Sequence, residues 1–190
     1  MTLLALGLVV FLGVHSIAIV ANPWRDGVAR RLGELPWKGL YAVISIVGFV
    51  LMVRGYAAAR LAPHPLWVPP VATRHVAALL MLPVFPLLFA AYLPGRIRDR
   101  ARHPMLAATL HWGAAHLLAN GTLRDLLLFG GVFAWALADR ISVARRAPRT
   151  IPTAPAGRWN DAITIVGGLA LYVGFVAGLH ARLFGVSPFG

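Results

Sequence analysis

The residues most able to do chemistry in this chain are histidines that lie in otherwise apolar segments. Five of the seven histidines lie in such segments: His15, His75, His111, His116 and His180. An ionisable side chain at membrane depth is costly, and it usually faces a cavity, a partner side chain or a metal. Neutral imidazole is also the commonest metal ligand in proteins. These positions therefore indicate binding of a metal or a metal-containing cofactor, with hydrogen bonding between helices as the alternative.

Spacing and depth divide these histidines. His111 and His116 lie five positions apart, about 140° around a helix axis, so an undistorted helix cannot direct both at one site. A rise of about 1.5 Å per residue places His15 and His111 about 10 Å from the predicted cytoplasmic boundary and His116 about 18 Å from it. Two ligands of one haem iron prefer similar depths, which favours His15 with His111.

The other histidines fit less demanding roles. His75 and His180 lie near the predicted outer ends of their helices, at a depth of nearly 30 Å, where interfacial imidazoles are expected. His64 lies in a proline-rich outer loop and is expected to be exposed. His103 precedes Pro104, which predicts that a helix starts directly after it.

The composition indicates an all-α integral membrane protein. Of 190 residues, 59% are hydrophobic and 13% are charged, and the mean hydropathy is +0.74. A soluble domain carries about 25% charged residues. The chain has no cysteine, which excludes disulfides and thiolate ligands. No acidic residue lies in the middle of a predicted span, which argues against a hydrolase or a di-iron carboxylate enzyme.

About six transmembrane helices are expected in a single domain, 1–190, with five as the alternative. A span needs roughly 20 mainly apolar residues. The candidate segments are about 2–21, 39–59, 72–93, 104–120, 122–138 and 161–183. The first is expected to be a retained helix and not a cleaved signal peptide. The fourth and fifth are short, and Asn120 and Gly121 leave room only for a tight turn between them. The segment 144–158 is expected to be a mobile cytoplasmic loop.

Most basic residues follow the first, third and fifth predicted helices. They are Arg25, Arg30, Arg31, Lys38, Arg96, Arg98, Arg100, Arg102, Arg140, Arg145, Arg146, Arg149 and Arg158. The positive-inside rule makes these loops cytoplasmic and places both termini on the other side of the membrane, as expected of a multi-pass membrane protein. The net charge of +12 is then explained by orientation and by contact with the lipid bilayer, and nucleic acid is not expected as a partner.

Proline and glycine positions predict how the helices pack. Pro83 and Pro86 are expected to kink the third helix, for packing or to widen a gap for a ligand. The spacing of Gly174 and Gly178 allows close helix contact, within one chain or in a homo-oligomer.

Several motifs in order carry a resemblance that spans nearly the whole chain. They are LGVHS at 12–16, WKGLYAVIS at 37–45, AAYLPGRIRDRARHPM at 90–105, HWGAAHLLANG at 111–121 and LLLFGGVFAWALADRIS at 126–142. Together they resemble the NnrU family, which is associated with nitrogen-oxide metabolism in denitrifying bacteria. That family is similar to zeta-carotene isomerase, a membrane enzyme that uses haem b to isomerise a cis double bond.

The resemblance implies a haem b site and names its ligands. The isomerase's histidine ligands match His15 and His116, with His111 in reserve from the depth argument. Gly113 stands where the isomerase has a cysteine, so a thiolate role is not expected. Haem propionates need cationic or amide partners, and the candidates are Arg102, His103, Asn120 and Arg124. The resemblance also implies that the haem would act on a hydrophobic substrate or bind a small gas.

Two other functions remain open. The element Arg102-His103-Pro104 resembles one that helps to bind S-adenosylmethionine in isoprenylcysteine and phospholipid methyltransferases. Those enzymes carry acidic residues in a C-terminal segment, whereas this chain has none after Asp161. The third possibility is a cofactor-free assembly protein whose histidines only hydrogen-bond between helices.

Overall fold

The computed structural model describes residues 1–146 and 151–189. In this part of the chain the regular structure is helical, apart from one isolated bridge between Pro65 and Thr122. The predicted all-α class is therefore confirmed. In chain order the helices are α1 (Thr2–Val20), α2 (Asn22–Leu32), α3 (Glu34–Ala59), α4 (Ala72–Met81), α5 (Val84–Ala90), α6 (Arg96–Ala101), α7 (Pro104–Ala119), α8 (Leu123–Val143) and α9 (Asn160–Phe184).

Five helical stretches in the described residues are long and apolar enough to cross a membrane. They are Thr2–Val20, Glu34–Ala59, Ala72–Ala90, Leu123–Val143 and Asn160–Phe184. The fourth predicted span corresponds to α7, which has only 16 residues. Its 16 residues would rise about 24 Å, less than the hydrocarbon core of about 30 Å. Five apolar helices thus indicate a membrane protein, whereas a sixth span and the orientation of the termini stay predictions.

Contacts divide the chain into two compact units. The first contains 1–67 and 122–146, which include α1, α2, α3 and α8. The second contains 68–121 and 147–190, which include α4 to α7 and α9. Residues 147–150 of the predicted mobile loop lie outside the described residues, so its mobility stays a prediction.

The first unit is built on a close contact between α1 and α3. Gly7 packs against the backbone of Met52, and Gly55 packs against the backbone of Leu4. Leu4, Leu8 and Met52 are buried together around this contact. The glycines let the two backbones approach because no Cβ separates them. They mark a helix–helix contact within the chain.

In the second unit the predicted proline kink is present. Helix α4 ends at Met81 and α5 begins at Val84, so the break falls at Pro83. Beyond the break, the backbone of Pro86 packs directly against Gly168 of α9. The kinked helix therefore packs closely against α9 just beyond the break.

Two helices contain a π-helical segment, at Leu126–Gly130 in α8 and at Phe175–Leu179 in α9. Such segments are rare and are often found near functional sites. A Cβ at Gly178 would meet nothing within 4 Å in the described residues. The spacing of Gly174 and Gly178 therefore marks no helix contact at Gly178 within this part of the chain, and a homo-oligomer stays a prediction.

Candidate functional site

His15 lies in the second half of α1 and is half-buried. Its Nδ1 is 2.7 Å from the carbonyl oxygen of Phe11, one helical turn earlier. A carbonyl oxygen can only accept a hydrogen bond, so Nδ1 must carry the proton. In the neutral ring the lone pair is therefore on Nε2, which is the tautomer needed for coordination through Nε2.

An aromatic cluster of the first unit surrounds this imidazole. The centroid of the His15 ring is 4.2 Å from that of Phe11, 5.2 Å from that of Tyr41 and 5.8 Å from that of Trp135. Trp135 meets the imidazole edge-on, with an angle of 89° between the planes. Helices α1, α3 and α8 thus each contribute a ring to the surroundings of one histidine.

Trp135 has an unsatisfied polar atom next to this histidine. Its indole Nε1 is buried and has no hydrogen-bond partner among the described residues. A buried donor without an acceptor costs about 1–3 kcal/mol, so such groups call for an explanation. Sequence reasoning did not select Tyr41 or Trp135 as site residues. Both lie within the quoted motifs, but the pattern does not say which rings face His15.

Helix α7 carries two histidines held in the same way. His111 Nδ1 is 2.8 Å from the carbonyl oxygen of Ala107, and His116 Nδ1 is 2.9 Å from that of Trp112. The proton again lies on Nδ1 in each neutral ring. His15 belongs to the first unit, whereas His111 and His116 belong to the second.

His180 is closer to His116 than the depth argument expected. Counting residues separated these two histidines by about 12 Å along the membrane normal. Their ring centroids lie 6.5 Å apart, with an angle of 29° between the planes. His180 Nδ1 is 2.7 Å from the carbonyl oxygen of Val186. His180 directly follows the π-helical segment of α9, a local irregularity that residue counting along an ideal helix ignores.

His64 and His103 lie outside the helices, as the sequence predicts. His64 is exposed in its loop, which confirms the sequence prediction. Its carbonyl oxygen accepts a hydrogen bond of 2.9 Å from the backbone N–H of Leu123 at the start of α8. Helix α7 begins at Pro104, directly after His103, as Pro104 predicted.

Arg102 has the one positive φ angle found at a non-glycine residue in the described chain, with φ 59° and ψ −48°. The backbone N–H of His103 donates a hydrogen bond of 2.6 Å to the carbonyl oxygen of Ala101. Together these features define a γ-turn with positive φ, which is rare and strained. Strain of this kind costs of the order of 1–3 kcal/mol and is concentrated at functional sites. The Arg102 side chain itself is exposed.

The two predicted propionate partners near the end of α7 are engaged within the protein. Asn120 Nδ2 donates a hydrogen bond of 2.9 Å to the carbonyl oxygen of His116. Arg124 Nη1 donates one of 3.2 Å to the carbonyl oxygen of Ala59, and its guanidinium lies 5.6 Å from the ring centroid of Tyr56. Both side chains therefore have partners within the protein, while the Nε of Arg124 is buried without a hydrogen-bond partner among the described residues.

Arg124 also borders the buried carboxylate of Asp125, in the first turn of α8. Asp125 is 2% exposed. It accepts hydrogen bonds of 2.6 Å from Tyr56 Oη and from Thr122 Oγ1, and Arg124 Nε lies 3.6 Å from Oδ1. With Thr122 it forms a capping box at the start of α8. This network joins α3 to the start of α8 within the first unit.

Among the described residues, no three side chains of His, Cys, Asp or Glu gather as they would to hold a bare metal ion. Haem iron differs from such an ion because the porphyrin supplies four ligands and the protein only one or two.

Comparison with known proteins gives the family. No curated protein and no solved structure matched the chain. The family model described as NnrU protein matches residues 3–188, which is nearly the entire sequence. The resemblance drawn from the motifs is thereby confirmed, and the protein belongs to the NnrU family.

Proposed function

We propose that this NnrU-family protein binds haem b in the membrane, with His15 and His116 as the ligands of the iron. His111 is the alternative to His116. The proposal includes six spans, both termini outside the cytoplasm and residence in the bacterial inner membrane. When bound, haem b would supply an iron centre able to act on a hydrophobic substrate or to bind a small gas such as a nitrogen oxide.

The observation that carries the proposal is a hydrogen bond that three of the five histidines on helices make to the carbonyl oxygen one turn earlier. His15, His111 and His116 each use Nδ1–H to donate to a backbone carbonyl. Metal-ligating histidines nearly always donate their second ring N–H in this way, which fixes the tautomer and orients the ring. The chain thus presents imidazoles in the form that coordinates iron through Nε2.

The surroundings of His15 also fit a bound aromatic cofactor. Tyr41 and Trp135 lie at ring-contact distances from His15, and the buried Nε1–H of Trp135 lacks an acceptor in the described protein. These rings would exclude water and orient the imidazole. The indole N–H would donate to an acceptor that the protein itself does not provide.

The propionate partners are better sought on the cytoplasmic side. Arg124 and Asn120 are already hydrogen-bonded to backbone carbonyls, whereas Arg102 is exposed at a strained turn. Arg102 is therefore the stronger candidate for the carboxylates of haem, and the adjacent His103 stays a candidate by its position at the same turn.

An absorbance spectrum of detergent-purified, haem-supplemented protein tests the proposal. The native chain should show a Soret band, which His15→Ala and His116→Ala should remove. His111→Ala and the exposed-loop control His64→Ala should retain it. A native chain without a Soret band refutes haem binding, and loss in His111→Ala with retention in His116→Ala refutes the ligand pair. Loss in His180→Ala would instead point to the His116–His180 pair.

The strained turn at Arg102 favours methyltransferase activity as a second candidate. An exposed cation on a strained backbone suits a cofactor contact, and the turn lies in the Arg102-His103-Pro104 element. Isothermal titration of S-adenosylmethionine into the haem-free protein tests this. Binding that is lost in Arg102→Ala supports it, and no binding removes it. If neither cofactor binds, the cofactor-free assembly role is the remaining candidate.

A further inference from the structure

A second polar site lies in the first unit, about one to two helical turns beyond His15 on α1 and beyond Trp135 on α8. The last turns of α1 and α8 and the start of α2 form a cleft of about 330 Å³. Its polar lining consists of Asn22, Ser142, Arg145 and Arg146, and its apolar lining includes Ile19 and Ile141. The volume lies at the lower end of the range for small-molecule sites.

One of the two arginines is fixed in place by the protein. Arg146 Nη1 donates a hydrogen bond of 2.8 Å to the carbonyl oxygen of Ala18 in the last turn of α1. Arg146 Nη2 lies 2.6 Å from Oδ1 of the buried Asp139 and forms an ion pair with it. The guanidinium therefore ties α1 to α8, and its charge is balanced by one carboxylate.

The other arginine leaves the cleft positively charged. Arg145 is exposed and forms no ion pair with any described residue. Asp139 offsets one of the two guanidinium charges, so the cleft keeps one excess positive charge. The hydroxyl of Ser142 adds a neutral group able to donate a hydrogen bond.

The apolar part of the lining indicates what kind of anion fits. Ile19 and Ile141 belong to the ends of two helices that are long and apolar enough to cross a membrane. A free inorganic anion gains nothing from such surface, whereas an anionic lipid presents a phosphate next to its acyl chains. Basic pockets at the ends of membrane helices are suited to such headgroups.

We propose that this cleft binds one anionic glycerophospholipid, with its phosphate on Arg145 and Arg146 and an acyl chain along Ile19 and Ile141. Lipid binding at this cleft would not require bound haem, because none of its lining residues is a proposed iron ligand or propionate partner. It would hold the ends of α1 and α8 together at the membrane surface, because the lipid contacts both.

The test uses the full chain in a neutral detergent, titrated with short-chain phosphatidylglycerol, short-chain phosphatidylcholine or inorganic phosphate. Binding is read from the thermal unfolding midpoint and from lipid adducts in native mass spectrometry. Phosphatidylglycerol should raise the midpoint and form a single adduct, whereas phosphatidylcholine should do neither. Arg145→Gln should weaken phosphatidylglycerol binding about five-fold.

Matched variants separate a specific site from general charge. Arg31→Gln removes another exposed arginine of the same unit and should leave binding unchanged. Arg145→Lys retains the charge and should preserve most of the affinity. Equal binding by Arg145→Gln and the native chain overturns the proposal, as does equal binding of the two lipids. If inorganic phosphate alone raises the thermal unfolding midpoint as much as phosphatidylglycerol does, the assignment of a lipid is overturned.

Discussion

The contact of Gly7 with α3 makes a demanding prediction about the scaffold that carries His15. A Cβ built on Gly7 lies 2.7 Å from the Cα atom of Met52 and 2.8 Å from the carbonyl carbon of Leu51, and it is closer still to the backbone nitrogen of Met52. Carbon atoms in van der Waals contact are about 3.5–4.0 Å apart. The alanine methyl in Gly7→Ala would therefore overlap backbone that no change of side-chain rotamer can move.

Two opposing energies decide the sign of the effect. Alanine in a helix interior is favoured over glycine by about 0.5–1 kcal/mol. Overpacking in a closely packed core costs about 1–3 kcal/mol, and the upper half of that range applies here because the clash is with backbone. Gly7→Ala should therefore lower the free energy of unfolding by about 1–2 kcal/mol. Gly13 lies on the same helix, and a Cβ there meets nothing within 4 Å in the described residues. Gly13→Ala should raise the free energy of unfolding by up to about 1 kcal/mol.

Thermal unfolding of both variants in one detergent provides the assay, with the native chain as reference. Gly7→Ala should melt below the native chain, and Gly13→Ala at or above it. If α1 shifts against α3, the Soret band of haem-supplemented Gly7→Ala should also weaken, because α1 carries His15 and α3 carries Tyr41. Equal midpoints for the two variants would refute the close contact and the reasoning based on it.

Three further predictions address other parts of the molecule, each read from unfolding in detergent. Tyr56→Phe removes a 2.6 Å hydrogen bond to the buried carboxylate of Asp125 and should lower the free energy of unfolding by about 1.5–3 kcal/mol. A decrease of less than about 0.5 kcal/mol would contradict the importance of this hydrogen bond. Arg102→Gly relieves the positive φ and should stabilise the fold by about 1 kcal/mol, whereas Arg102→Ala, which retains the strain, should not. Gly168→Ala places a Cβ against the backbone of Pro86 and should cost about 1–3 kcal/mol, so a neutral result would contradict the packing at the kink.

Much of the fold could be predicted from local sequence. Apolar runs long enough for a span identify membrane helices because crossing a bilayer depends on length and hydropathy, which are properties of one segment. The start of α7 at Pro104 and the break at Pro83 follow from the missing N–H and fixed φ of proline. Length marks both the fourth and the fifth predicted segments as short. Of these, the fourth forms α7 with 16 residues, whereas the fifth extends to 21 residues in α8.

The candidate site was predictable only in its residue types. His15 and His116 were selected by environment and by resemblance, and the carbonyl partner four residues earlier follows directly from helix geometry. Arg124 was selected for its charge at the outer end, whereas the structure engages it with Ala59, Tyr56 and Asp125. A side chain's charge indicates what it can bind, but not which partner is near enough.

Local sequence was enough to predict the membrane character, the helical class, the family and the histidines worth testing. The packing of the helices was needed to show that Trp135 lies against His15, that His180 lies beside His116, and that Arg146 joins the ends of α1 and α8. Each of these contacts joins residues more than 60 positions apart in the chain. Helix periodicity relates a side chain only to neighbours three or four residues away, so contacts of this kind depend on how whole helices pack.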